Sequence, residues 1–136
     1  MPRRASFGLP IAAVVFVLAL AGGRTALADG AFAVDFTWEG TAKCFEPKSP
    51  PFKISNAPEG TKTLRFNLVD LDFTSFAHGG GTVAYDGGAE VARGAFTYRG
   101  PCPPVGQHHY EWTVEALDGG GKVLASTKAM KEFPPK

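Results

Sequence analysis

Past a short N-terminal apolar run, the 136-residue chain has no window carrying a helical hydrophobic stripe, which argues against a fold built on helices. Basic residues never cluster there, so a nucleic-acid or anionic-membrane surface is excluded. The chain has two cysteines, no C-x-x-C pair and three histidines, two of them adjacent, which is not the signature of a structural zinc. None of Ser49, Ser55, Ser75 and Ser126 stands in a G-x-S-x-G elbow, so the usual sign of an activated serine is missing. No internal repeat or long low-complexity segment appears, which leaves solenoids and linkers aside.

The one long apolar run, from about Leu9 to Ala21, contains a proline and falls short of the roughly 20 residues of a membrane span. Arg3 and Arg4 precede it, and Ala26-Leu27-Ala28 follows with small residues at the −3 and −1 positions. Together these predict a signal peptide, residues 1–28, cleaved after Ala28, with a retained anchor as the alternative. The 136 residues less those 28 leave 108, enough for one domain (29–136) but not two. Removing Arg3, Arg4 and Arg24 from 14 basic residues leaves 11 against 13 acidic ones, a net charge of −2. The expected location is periplasmic or secreted.

In that compartment Cys44 and Cys102 are expected to pair, with two free buried thiols as the alternative. The bridge would close a loop of nearly 60 residues. In the chain-entropy model such a closure is worth on the order of 4 kcal/mol.

What is present reads as strands and turns. Phe32, Val34, Phe36 and Trp38 alternate with Ala33, Asp35 and Thr37, a first strand. Phe52 and Ile54 mark a short strand within a proline-rich stretch, and Pro58-Glu59-Gly60 a turn. From Thr63 to Phe73 the even positions Leu64, Phe66 and Leu68 share an apolar face, and the same parity places Asp70 and Asp72 on it. Carboxylates on that face require hydrogen bonds or ion pairing, unless the strand has already ended. His78-Gly79-Gly80-Gly81 reads as a flexible loop before a strand over Thr82–Tyr85, and Ala95–Arg99 as a short strand. Gly100 to Gly106 is a stiff proline turn, feeding a strand in which Tyr110, Trp112, Val114 and Ala116 face one way. His108 has the same parity, which places it at the edge of the core, either lining a pocket or held as a rim histidine. Adjacent His108 and His109 point to opposite faces of a strand, so they cannot easily chelate one metal ion. Lys122–Thr127 is the expected hairpin partner after the glycine turn at Asp118. Short strands, 17 glycines and 11 prolines together predict an all-β, two-sheet fold.

Four segments carry a family resemblance: SPPFKISNAPEGTKTL (Ser49–Leu64), DLD (Asp70–Asp72), GPCPPVGQHHY (Gly100–Tyr110) and ALD (Ala116–Asp118). In this order and spacing they resemble the phosphatidylethanolamine-binding protein family, and within it the secreted, Raf-kinase-inhibitor-like bacterial members. The resemblance spans about Phe36 to Asp118. It implies a compact two-sheet β fold, here trimmed, with a small surface pocket for anions such as phosphate or a phospholipid head group. In the family that pocket draws on the aspartates of D-P-D-x-P, a histidine shortly after them, and the histidine of G-x-H-R. The matching positions are Asp70 and Asp72, His78, and His108, with Tyr110 two residues beyond. Departures are plain: Leu71 and Thr74 replace the two prolines, Gly79 stands where tryptophan is usual, and His109 replaces arginine. The segment between His78 and Gly100 is also shorter than in full-length members.

The expected function is therefore non-enzymatic binding of a small anionic or phosphate-bearing ligand, without a cofactor. Two alternatives stand beside it. One is a protein-interaction or inhibitor module, which an apolar patch of Phe73, Phe76 or Phe96 would favour. The other is a family fold whose pocket is vestigial.

Overall fold

A computed structural model describes residues 30–136, and the expected leader lies outside the described residues. Seven strands follow in order: β1 (Ala33–Phe36), β2 (Phe52–Ser55), β3 (Thr63–Asp70), β4 (Gly80–Ala84), β5 (Glu90–Val91), β6 (His108–Leu117) and β7 (Val123–Phe133). There is no helix among the described residues. The strands form two antiparallel sheets, β1-β2-β5 and β4-β3-β6-β7, so the chain is all-β with two sheets.

The centre of the molecule is the β3–β6 pair. Its register sets Leu64 opposite Ala116, Phe66 opposite Val114, Leu68 opposite Trp112 and Asp70 opposite Tyr110. Even positions on both strands are buried, as the period-two pattern requires. The odd positions face outward, where Arg65 meets its cross-strand partner Glu115 at 2.6 Å. Trp112 is the hub of the core: the rings of Phe52, Phe96 and Tyr98 lie with centroids 5.2, 5.7 and 5.2 Å from its own. Phe52 belongs to the small sheet, so these contacts join the two layers.

Several local expectations are corrected. The glycine run is not a flexible loop, because Gly80 and Gly81 are the first two residues of β4. A Cβ on Gly80 would lie 1.8 Å from the Phe66 carbonyl oxygen, and one on Gly81 2.5 Å from Phe96 Cβ. Only residues without side chains let this edge strand approach β3 and the core so closely. Ala95–Arg99 forms no strand; it docks on the proline-rich segment through a single bridge, Lys48 to Thr97, and the bonds Ser49 N–H to Phe96 O and Tyr98 N–H to Pro47 O. β5 was not expected, β7 runs six residues further than Thr127, and β3 ends at Asp70 rather than Phe73.

The proline turn is anchored from two sides. Cys44 and Cys102 form a disulfide with Cα atoms 4.6 Å apart. Next to it Gly100 lies so near Glu46 that a Cβ would sit 2.7 Å from its carbonyl oxygen, and Pro101 is fully buried. The loop around Cys44 and the turn around Cys102 thus form one rigid corner, directly in front of the first residue of β6.

Candidate functional site

The end of β3 and the start of β6 meet at this corner. Asp70 is the last residue of β3, only 3% exposed, and its carboxylate is fully engaged. Oδ1 accepts the backbone amides of Asp72 at 2.9 Å and Phe73 at 3.0 Å, and Oδ2 accepts the Nδ1 proton of His108 at 2.7 Å. Burial opposes its charge, but the bonds from His108 and the Asp72 amide, with the Tyr110 phenol beside it, outweigh burial and hold the carboxyl below its ordinary range. Because an ionised carboxylate only accepts, His108 carries its proton on Nδ1 and leaves Nε2 as the ring nitrogen open to a ligand.

Tyr110 lies opposite Asp70, fully buried, with its ring stacked near that of His108 at 6.3 Å. Burial first, then the Asp70 charge, pushes its phenol well above the ordinary range. The hydroxyl is close enough to Asp70 to feel that charge, yet Oη is not aligned on any partner as a hydrogen bond. His78, 4% exposed, is locked to Arg99 from both sides: its Nδ1 donates to the Arg99 carbonyl at 2.7 Å and its carbonyl accepts the Arg99 amide at 2.8 Å. Its ring stands edge-on to Tyr110 at 5.4 Å.

Asp70, His78, His108 and Tyr110, four of the five residues named from the resemblance, therefore line one cleft of about 230 Å³. Asp72 departs from the parity argument. It follows the end of β3, is exposed, and holds the neighbouring His109 instead, through the His109 amide at 2.6 Å and Nδ1 at 2.9 Å. Those bonds keep the Asp72 carboxyl below its ordinary range and raise the His109 imidazole above its own. The His109 ring also faces Glu132 at 3.4 Å, so the two adjacent histidines do serve opposite faces of the strand. Asp70, Asp72 and His108 offer ligand atoms within 4.8 Å of one another.

The other walls of the cleft were not foreseen. They are Phe45, Phe73, Phe76, Cys102 and Pro104. Phe45 and Phe73 are 49% and 55% exposed, and both stack on Phe76, at 5.7 and 6.5 Å. For Phe45 one signal existed: it follows Cys44, so the disulfide carries it to the proline turn. Phe96 does not join this patch, since it is buried against Trp112. A wider cleft of about 650 Å³ opens along β1, β2 and β5, rimmed by Asp35, Glu39, Lys53 and Glu90. Among the described residues no buried polar side chain lines it, whereas two of the five buried polar residues described, Asp70 and His78, line the smaller one.

No family model matches the chain, and no curated protein matches it. Solved structures do. The chain is similar to YbcL of Escherichia coli, described as a member of the mammalian PEBP family, with TM-score 0.55 and 19% identity, over 77% of this chain and 99% of that one. It has the phosphatidylethanolamine-binding protein fold. A second likeness is to CT736 of Chlamydia trachomatis, a putative phosphatidylethanolamine-binding protein homologue, with TM-score 0.53 and 18% identity, over 78% of this chain and 99% of that one. The disulfide is in keeping with an oxidising compartment for a chain of this fold.

Proposed function

We propose that this phosphatidylethanolamine-binding-protein-like chain is an exported, non-enzymatic binding protein whose Asp70–His108 cleft takes a small anionic or phosphate-bearing ligand such as a phospholipid head group. One observation carries the proposal: a buried carboxylate fixes His108 through Nδ1, so that Nε2 is left for a ligand and, in the imidazolium form, donates to an anion. The lining residues include no serine, threonine or free cysteine, and the Asp70 carboxylate is taken up by His108 and two amides, which supports binding over bond breaking. Their only side-chain oxygens are the Asp70 carboxylate and the Tyr110 phenol, and Cys102 is in the disulfide.

The test is an amide NMR titration of residues 29–136 with phosphate and phosphoethanolamine near pH 6, beside His108→Ala. Saturable shifts at Asp70, Gly106 and His108, lost in the variant, are expected. If millimolar ligand moves no resonance near His108, the proposal fails. A protein-interaction module is the second reading, favoured by the exposed Phe45–Phe76–Phe73 stack at the cleft mouth.

A further inference from the structure

Phe45 occupies a backbone position that rarely accepts a phenylalanine. Lys43 to Glu46 form a tight turn, closed by the Glu46 N–H on the Lys43 carbonyl at 3.2 Å, and Phe45 is its third residue. Its φ is +56°. Turns that need a left-handed third residue take glycine or asparagine there, and a bulky side chain adopts that backbone only under strain. Among the described residues the other non-glycine residue with positive φ is Asn56, a type that tolerates it.

The neighbouring disulfide holds Phe45 in place. Cys44 and Phe45 make no hydrogen bond among the described residues. The flanking positions are tied: the Thr41 N–H donates to the Trp38 carbonyl at 2.9 Å, while Glu46 meets Arg93 at 3.4 Å and is pressed by Gly100. Between those two points the segment is joined to the fold by the Cys44–Cys102 bond and by the stack of Phe45 on Phe76. Both rings line the cleft and also a second depression of about 280 Å³ beside Arg99. Phe45 is thus a wall common to the two. Cys44 is exposed, whereas Cys102 is half-buried beside the fully buried Pro101. An exposed disulfide next to a strained backbone residue is of the labile kind that exchanges with thiols.

We propose that Cys44–Cys102 is a thiol-exchange site that gates the cleft: a dithiol reductant opens the bridge and frees Phe45 from the wall. The reductant's thiolate attacks Cys44 Sγ. The Cys44–Cys102 bond breaks, and its electron pair leaves on Cys102 Sγ, which takes a proton. The second thiolate of the reductant then displaces Cys44 from the mixed disulfide, and the Cys44 sulfur takes the second proton. Two electrons pass, and the reductant ends as its own disulfide. Once released, the turn relaxes from its left-handed residue, Phe45 leaves Phe76, and the cleft and the depression beside Arg99 become one opening. The release of Phe45 stands on the turn and the bridge alone; a fall in ligand affinity rests, in addition, on the reading that the cleft is a ligand site.

The experiment equilibrates the protein with reduced and oxidised dithiothreitol at graded ratios, without denaturant, and follows amide and ring-proton NMR. The bridge is expected to open while the β3 and β6 amides stay in place, and the Phe45–Phe76 ring contacts should disappear in the reduced form. Retention of those contacts, or opening only with loss of the β3 and β6 resonances, overturns the gate. Phe45→Ala and Phe45→Gly both lack the ring and differ in the cost of a positive φ. The glycine variant should need a reducing ratio about fivefold higher than the alanine variant for half-opening. Equal ratios would remove the strained turn as the cause. A glutathione adduct located by mass spectrometry is expected on Cys44, and one on Cys102 would refute the assigned direction of attack. Last, phenyl phosphate is titrated into both forms, since its anion suits His108 and its ring needs the apolar wall. Affinity should fall about threefold or more on reduction, as one aromatic contact is lost; an unchanged affinity means that Phe45 does not control the cleft. No His108 shift in either form counts against the ligand reading, and the ring contacts then decide the gate by themselves.

Discussion

Asp70 Oδ2 and His108 Nδ1 lie 2.7 Å apart, although 38 residues separate them in the chain. The pair ties the last residue of β3 to the first of β6 at the point where the sheet gives way to loops. It is at once a latch on the central strands and the orienting element of the cleft.

Removing the latch affects stability and its pH dependence together. The folded-state pKa of Asp70 is depressed, so its contribution is present above the unfolded value of 3.8 and is lost as pH falls through the lower folded value. Asp70→Asn is expected to lower stability at neutral pH by about 1–3 kcal/mol, because two amides and an imidazole lose a charged acceptor. Urea unfolding at pH 7 and again below pH 4 checks this: the difference between the two proteins should shrink in acid.

The exposed pair Asp72–His109 titrates on both sides. Asp72 is depressed, so its share is lost as pH falls below 3.8; His109 is raised, so its share is complete below 6.5 and disappears as pH climbs through the higher folded value. An NMR titration of the His109 ring protons should give a midpoint above 6.5, returning toward that value in Asp72→Asn. A midpoint unchanged by the substitution would remove the carboxylate as the cause.

Cys44→Ser with Cys102→Ser should act at the cleft as well as on the whole fold. The closed loop has a separation of 58 residues, so global stability is expected to fall on the order of 4 kcal/mol. Phe45 and Pro104 lie beside the two bridged positions, and both line the cleft. Ligand affinity measured under conditions where the double variant stays folded should drop too, while an affinity equal to that of the oxidised protein would show that the wall holds without the bridge.

Two adjacent glycines should respond differently to one methyl group. Gly80→Ala forces a Cβ onto the Phe66 carbonyl, so a loss of about 3 kcal/mol is expected from overpacking against backbone. Gly79→Ala meets open space but keeps a φ of +73°, so about 1–2 kcal/mol is expected from the left-handed backbone. Thermal or urea unfolding of the two variants, compared directly, checks the order.

Much of this was legible in the chain itself. Alternation placed Leu64, Phe66 and Leu68 and then Tyr110, Trp112 and Val114 on buried faces, because side-chain direction in a strand has a strict period of two. The same parity brought Asp70 and His108 to the core side of two strand ends, and the resemblance added His78 and Tyr110, all now found around one cleft. Asp72 lies off that face because parity lapses where a strand stops, the alternative the sequence had left open.

What tertiary structure alone decided concerns segments that lie close without pairing as strands. Nothing within the glycine run distinguishes a mobile loop from an edge strand; the distinction comes from Phe66 and Phe96 crowding it from elsewhere in the chain. Ala95–Arg99 alternates like a strand but pairs with the proline-rich segment by a single bridge, since proline offers no amide for a ladder. Phe45 and Arg99 are brought beside Phe76 through a disulfide and a histidine clasp, respectively. Periodicity is a property of neighbours along the chain, and so it determined the sheets; the walls of the site come from residues brought together across the fold, which only the folded chain could specify.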